Sequence, residues 1–446
     1  MSLARVIRSA IIRRFADPVR REQRHVRAEA ARQKAGRSHE VLYFHQVDDP
    51  YSQLAVQALA PLLARFEITL LPKLVAAPTA IAIHEQALWD QWSAHDAASI
   101  APFYGLHYAT LYGAKDPALL ALARRLLLSE GEPNAFATLA IQVNQTLHEN
   151  SHQRLHALAT GKRLPDAAQA EQKLTANFAL RHRLGHYLGA MFYYEGEWYW
   201  GIDRLHYLEA RLTALGARRS NVAATPSVAR QELLPITVPV NNPRLKLEFF
   251  PSLRSPYTHL SYARVAALCR RYPLDLVIRP VLPMMMRGVK ADRRKGKYII
   301  EDTQREAERL GIPFGNVWDP FGKPILRAYS LFPWARDQGR GFEYLQAYSQ
   351  AVWGERINAW SLTGLRRIVE RAGLRWEQAS KVLDRHDWES EMEANVQAMI
   401  AAGSWGVPTL RLSATPGEAA FTVWGQDRIW LIEAEIQRRL GLRPTD

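Results

Sequence analysis

Apolar and polar positions alternate in LKLEFF, from Leu245, and a short apolar run of similar kind, VLYFH, begins at Val41. A period of two marks a half-buried strand. Each run leads to a Pro-Tyr step, Pro50-Tyr51 and Pro256-Tyr257, and each step leads into apolar residues at helical spacing. Tyr257 to Arg271 is predicted as a helix started by the Ser-Pro step, since proline's missing N–H costs nothing in a first turn. In the earlier copy Pro61 breaks into the corresponding helix. LDLVIRP then reads as a second strand that Pro280 stops, followed by a mostly helical stretch from Tyr298 to about Ala402. The half closes with GVPTLRL, a turn at ATPGE, a strand at AFTVWG and a last helix.

The two halves repeat each other. Setting Tyr257 on Tyr51 also sets Asp302 of KYIIEDTQREA on Asp96 of QWSAHDAASIA, without a gap, at an offset of 206. Near the end of each half, VWGQDRIWLIEAEI from Val423 mirrors YWGIDRLHYLEARL from Tyr199, now at an offset of 224. Leu205, Leu208 and Leu212 answer Ile429, Ile432 and Ile436, and spacing of three then four is one buried face of a helix. The expected organisation is a basic extension at 1–38, a first domain at 39–215, a linker at 216–242 and a second domain at 243–446. Pro, Asn, Ser and Gly mark the linker.

Composition narrows the class. A chain of 446 residues is long for one core, and 48% hydrophobic with 23% charged residues is ordinary for a folded protein. No run of 18 apolar residues occurs, so no transmembrane helix is expected. Cys269 is the one cysteine, which excludes a disulfide framework and Cys-x-x-Cys redox chemistry. Nothing calls for an oxidising compartment, and the expected location is cytoplasmic.

The net charge of +14 suggests nucleic acid until it is located. Residues 1–40 hold eleven Lys/Arg against four Asp/Glu, so half of the excess sits there, and no nucleic-acid partner is expected. Leu3, Ile7, Ile11 and Phe15 lie four apart, one stripe of a basic amphipathic helix. Three readings stay open: a solvated, partly helical extension, a peripheral arm for a membrane surface or acidic partner, and a transit peptide.

Other signals carry less. HENSH, His148 to His152, fits H-E-x-x-H, but its polar flanks do not suit a buried zinc helix, and no metal site is expected. His182 and His186 have no carboxylate between them. Met284 to Met286 suit wall or core, and flexible thioethers would also suit an aromatic substrate. Cys269 falls on an apolar helix face as packing. No phosphate loop or dinucleotide fingerprint appears.

Taken together, FFPSLRSPYTHLSY, KGKYIIEDTQREAERLGIPF, GSWGVPTL and VWGQDRI resemble the DsbA-like branch of the thioredoxin superfamily. The resemblance is closest to 2-hydroxychromene-2-carboxylate isomerases and kappa-class glutathione transferases. It spans nearly all of the second half, whereas the first matches only at Pro50-Tyr51, Asp96 and YWGIDRL. The implied fold is α/β, two tandem thioredoxin-like domains, each with an inserted helical module.

The resemblance also implies a site. In thioredoxin-like folds the nucleophilic thiol sits where the first strand meets the first helix, and here that position reads SPYT, so the sulfur must come from a bound thiol such as glutathione. Ser255 would donate a hydrogen bond to that thiolate, and the helix N-terminus would favour its charge. As sequence alone, Ser255 is equally a helix N-cap. The family's cis-proline maps to Pro408, with Val407 offering its backbone to the cysteinyl part. Gln426 and Asp427 would meet the γ-glutamyl part, although an aspartate there also caps a helix. Lys295, within a run of seven Lys/Arg from Arg279 to Lys297, would receive a carboxylate. The family's nearby asparagine has no counterpart between Val281 and Ile300. The first half has Asp49, Ala190 and Trp89 where the second has Ser255, Pro408 and a lysine, which makes it a degenerate copy.

The activity this implies is glutathione-dependent isomerisation or transfer on an electrophilic unsaturated or aromatic small molecule, in a homodimer or a fused pseudo-dimer. The competing expectation is a non-catalytic binding or scaffold protein that docks through residues 1–38.

Overall fold

The computed structural model describes every residue except 1, 2, 79–82, 84, 224, 234, 235, 237–241, 290, 291 and 443–446. Two compact units divide the chain, one of Glu22–Gln231 and one of Met1–Arg21 with Glu232–Asp446.

In the Glu22–Gln231 unit, strand β1 (His39–His45) pairs in parallel with β2 (Ile68–Leu74). On its other edge β1 pairs antiparallel with β3 (Met191–Tyr194), which forms a hairpin with β4 (Glu197–Trp200). The sheet order is therefore β2-β1-β3-β4. Helices Pro50–Val56 and Leu59–Arg65 join β1 to β2. The break between them precedes Pro61, which cannot donate to a continuing helix. Five α-helices between Gln86 and Leu184 separate β2 from β3, and Gly201–Ala214 closes the unit on its buried Leu205, Leu208 and Leu212.

The other unit repeats the order. Strand β5 (Leu245–Phe250) pairs in parallel with β6 (Leu274–Ile278) and antiparallel with β7 (Thr409–Leu412), which forms a hairpin with β8 (Phe421–Trp424). The sheet order is β6-β5-β7-β8. Helix Pro256–Arg271 links β5 to β6, six α-helices from Arg293 to Ala401 intervene, and Ile429–Arg439 closes the unit. On one face of β5, Phe249 meets the Tyr262 ring edge-on at 5.5 Å. On the other, Phe250 packs with Val281, Val396 and Met399. Glu248 shares that second face, and its buried carboxylate bridges Arg279 at 2.7 Å and Arg411 at 2.8 Å.

The residues that align without a gap occupy like places. Tyr51 donates its hydroxyl to Asp96 at 2.9 Å, and Tyr257 donates to Asp302 at 2.7 Å. Gly201 donates its N–H to the Ala190 carbonyl at 2.7 Å, as Gly425 does to that of Pro408 at 2.9 Å.

The units divide differently from the expected boundaries. Residues 1–38 do not stand apart as an extension: helix Leu3–Phe15 belongs with the β5–β8 unit, and the chain from Glu22 onward belongs with the other. Ser9 of this helix and Ala16 just past its end are buried, while Ile7 and Ile11 are 49% and 48% exposed. The apolar stripe is thus not the buried face, because polar groups of this helix make the contacts. Much of the expected 216–242 linker is likewise engaged. Ala217 accepts from Glu67 N at 2.7 Å, and Ser227 donates its N–H to Glu209 at 2.9 Å. Glu232 pairs with Arg309 at 3.2 Å within the β5–β8 unit. No described helix is long and apolar enough to cross a membrane.

Candidate functional site

The junction of β5 with helix Pro256–Arg271 is set locally. Ser255 is extended (φ −93°, ψ 117°) and caps the helix, its Oγ accepting from Thr258 N at 3.1 Å, with Pro256 in the first turn. Just before it, Ser255 N donates to the Ser252 carbonyl at 3.0 Å, which turns the loop. Leu253 donates its N–H to the Tyr329 hydroxyl at 3.2 Å, and that hydroxyl donates on to the Val281 carbonyl at 2.9 Å. Burial raises the Tyr329 phenol to about 12, so it stays a neutral donor.

Tertiary structure brings the distant pieces to this cap. Ser255 Oγ lies 3.5 Å from the Val407 carbonyl, at the outer limit of a hydrogen bond. The Val407–Pro408 peptide is cis. Gly406, just before it, lies flat against an indole: a Cβ there would fall 2.2 Å from the Trp424 ring, so only glycine fits. Through Gly425 N and the Pro408 carbonyl the same segment is tied to the start of the closing helix.

The other expected residues take different parts. Gln426 is buried: its Nε2 donates to Glu306 at 2.8 Å, and its Oε1 accepts from Arg264 at 2.9 Å. Its side chain is therefore a brace among three helices rather than an open ligand contact. Burial in a close-packed interface leaves it no face for one. Asp427 is half-buried in the same turn, one residue beyond that brace. Lys295 is half-buried in the first turn of helix Arg293–Leu310. Burial lowers its ammonium pKa and Asp292 acts against that. No polar contact joins it to Ser255 or Val407 among the described residues. Its basic neighbour Lys290 lies outside the described residues.

Sequence reasoning missed the braces. Arg264, Glu306 and Tyr329 carry no motif, and their roles follow from partners 162, 120 and 48 positions away. Asp319 is the fourth: it is buried and accepts from Arg254, the residue before Ser255, at 3.1 Å.

The corresponding place in the other unit is filled. Asp49 caps helix Pro50–Val56, accepting from Ser52 N at 2.9 Å and Ser52 Oγ at 2.7 Å. Ser52 Oγ in turn accepts from Ala190 N at 2.9 Å. A Cβ on Gly189 would fall 2.7 Å from Gln46 Cβ and 3.0 Å from Asp49 Oδ2, so the backbone closes over the carboxylate. Burial raises Asp49 to about 6.

Two set-aside signals are clear in three dimensions. His148 ends helix Pro133–His148 and donates from Nδ1 to the Thr110 carbonyl (2.9 Å), whereas His152 opens helix His152–Ala159 and meets Asp116 at 2.8 Å. They lie on different helices, which breaks the one-turn zinc geometry. Cys269 is half-buried, and burial pushes its thiol pKa up, which disfavours the reactive thiolate.

Residues 246–437 match the DSBA-like thioredoxin domain. No curated protein matches the chain. Among solved structures, a 2-hydroxychromene-2-carboxylate isomerase is 22% identical over 43% of this chain and 95% of its own, with a TM-score of 0.37. A probable DsbA oxidoreductase from Streptomyces coelicolor is 16% identical over 45% of this chain and 92% of its own, with a TM-score of 0.35. The cytosolic disulfide reductase DsbM from Pseudomonas aeruginosa is 19% identical over 44% of this chain and 100% of its own, with a TM-score of 0.34. The match to the DSBA-like thioredoxin domain runs from the second residue of β5 to near the end of the closing helix and lies wholly within the β5–β8 unit.

Proposed function

We propose that the protein is a glutathione-dependent isomerase or transferase acting on an electrophilic unsaturated or aromatic small molecule. In this reading the β5–β8 unit carries the site, and the β1–β4 unit is a degenerate thioredoxin-like copy. The observation that carries it is the pairing of Ser255 Oγ with the Val407 carbonyl before Pro408, at the N-terminus of a helix, where no cysteine stands. A hydroxyl there suits a borrowed thiolate. It sits on the helix end that favours negative charge, and it can turn its proton from the Val407 carbonyl to the sulfur.

The residues fit glutathione in part. Val407 offers a backbone carbonyl and Lys295 a cation, while Gln426 is consumed as a brace. When bound, the thiol supplies a nucleophile that adds to the electrophile and leaves again. Ser255 holds the negative charge before addition and after expulsion, and the cap fixes its position throughout. The partly buried surroundings strengthen that hydrogen bond relative to water. Titration calorimetry with glutathione and turnover of a chromene or halonitroarene test the reading. Absence of both sinks it.

A second reading, a non-catalytic binding protein docking on an acidic partner or membrane surface, draws on exposed Ile7 and Ile11 beside Arg14 on the N-terminal helix. No glutathione binding, together with vesicle binding lost on Ile7→Ser/Ile11→Ser, would favour it.

A further inference from the structure

The N-terminal helix meets the loop that carries Ser255 through one buried carboxylate. Asp319 Oδ1 accepts from Arg254 Nε at 3.1 Å and from Phe321 N at 3.3 Å, and Oδ2 accepts from Arg8 Nη1 at 3.3 Å. The Asp319 N–H donates to Ser9 Oγ at 3.0 Å, and Ser9 is buried. Both guanidiniums lie over the Phe321 ring, with Arg8 Cζ at 5.2 Å and Arg254 Cζ at 4.8 Å from its centre. One turn on, Arg13 donates to the Val317 carbonyl at 3.0 Å.

We propose that Asp319 is a positioning residue for the Ser252–Ser255 loop, and that helix Leu3–Phe15 is the element that holds Asp319 in place. A carboxylate this buried persists as an ion only if it is paired and hydrogen-bonded. Arg254 pairs it from the loop side and Arg8 from a helix more than 300 positions away, where Ser9 Oγ also takes the Asp319 backbone N–H. Arg254 immediately precedes Ser255, so fixing its guanidinium fixes the backbone that presents the hydroxyl. Arg254 is itself held at a second point by Met285 Sδ, 3.0 Å away. The helix is thus a brace for the site, and its outward Ile7 and Ile11 are incidental to this role. The consequence for turnover rests on the reading of Ser255 given above. The consequence for the loop does not.

Hydrogen exchange on the full chain separates the two. The loop's protected amides are those of Ser252, Leu253, Ser255 and Thr258, which donate to Thr258, Tyr329, Ser252 and Ser255 respectively. Arg8→Ala/Ser9→Ala removes two hydrogen bonds, one of them charged, and should speed exchange of these amides about tenfold while β5 and the closing helix stay protected. Arg8→Ala alone, at a half-exposed side chain, should give a smaller change of the same pattern if the double variant folds poorly. Arg8→Lys should restore most of the protection by keeping the charge. Glutathione affinity should weaken in parallel, with KM rising more than kcat falls. Unchanged exchange at the loop, or equal acceleration throughout the unit, overturns the proposal. Failure of the wild-type chain to bind glutathione would instead remove the proposed function, and the exchange result would still decide the brace.

Discussion

Ser255 has two jobs in this account, and exchanging it for the residue at the equivalent place in the other unit separates them. Ser255→Asp keeps a carboxylate oxygen for the helix cap, as Asp49 does when it accepts from Tyr51 N and Ser52 N. Ser255→Ala removes the acceptor for Thr258 N. Losing a cap of this kind costs about 1 kcal/mol. In a unit of this size that is a fall in Tm of roughly 2–4 °C for Ala and little or none for Asp. The order reverses for chemistry. Removing one donor to a developing negative charge costs roughly 3–4 kcal/mol, or about 100- to 1,000-fold in turnover. A carboxylate placed near 4 Å from a thiolate repels it by about 4 kcal/mol at an effective dielectric of roughly 20. The Asp variant should therefore be as stable as wild type and at least as inactive as the Ala variant. Melting curves, calorimetry with glutathione and the ultraviolet absorbance of bound thiolate measure the three quantities. An Asp variant that binds and turns over as well as wild type, or an Ala variant that loses stability but no activity, would refute the thiolate role and leave Ser255 as a cap alone.

Other consequences concern the frame. Asp49 has its pKa raised by burial from 3.8 to about 6. A raised acid holds its proton in the folded state, so its contribution is present below pH 4 and lost as pH rises through 6, by up to about 3 kcal/mol. Urea denaturation should find the Asp49→Asn variant with a flatter pH dependence between 4 and 6, and an unchanged slope would contradict the assignment. At Glu248, burial pushes the pKa up, but Arg279 and Arg411 outweigh it and hold the carboxyl below its usual range. Its stabilisation is accordingly present above the normal carboxylate pKa and lost on acidification. Glu248→Gln should cost roughly 3–5 kcal/mol at neutral pH, read by denaturant midpoint, because two guanidiniums lose their common anion. Gly406→Ala forces a methyl into the Trp424 ring and should cost at least about 1–3 kcal/mol, with a change in tryptophan emission. A neutral substitution there would mean the segment before Pro408 is not held as described.

Local pattern decided a great deal. The alternation of LKLEFF, the Ser-Pro and Asp-Pro steps, and the leucine and isoleucine faces of the closing helices place the elements to within a residue or two, since each depends on neighbours three or four positions away. The gapless match of Tyr51–Asp96 with Tyr257–Asp302 even picked out two pairs that meet as hydrogen bonds. What periodicity could not supply is which polar group meets which across the fold. The stripe of Ile7 and Ile11 suggested a solvated extension or a peripheral arm, yet Arg8, Ser9 and Arg13 face the domain: the two arginines donate to Asp319 and Val317, and Ser9 Oγ accepts from the Asp319 N–H. Gln426, an expected ligand residue, is spent on Glu306 and Arg264. By itself the sequence determined the strand–Pro-Tyr–helix junctions, the Ser255 cap and the absence of a redox cysteine, all of which are local or compositional, whereas the cap expected of Asp427 is not made. Only the tertiary structure decided that Ser255 meets Val407, that Asp49 is walled in, and that the basic N-terminal helix braces the second unit. Those outcomes depend on hydrogen bonds closed across some 140 to 310 positions, and no short-range pattern encodes them.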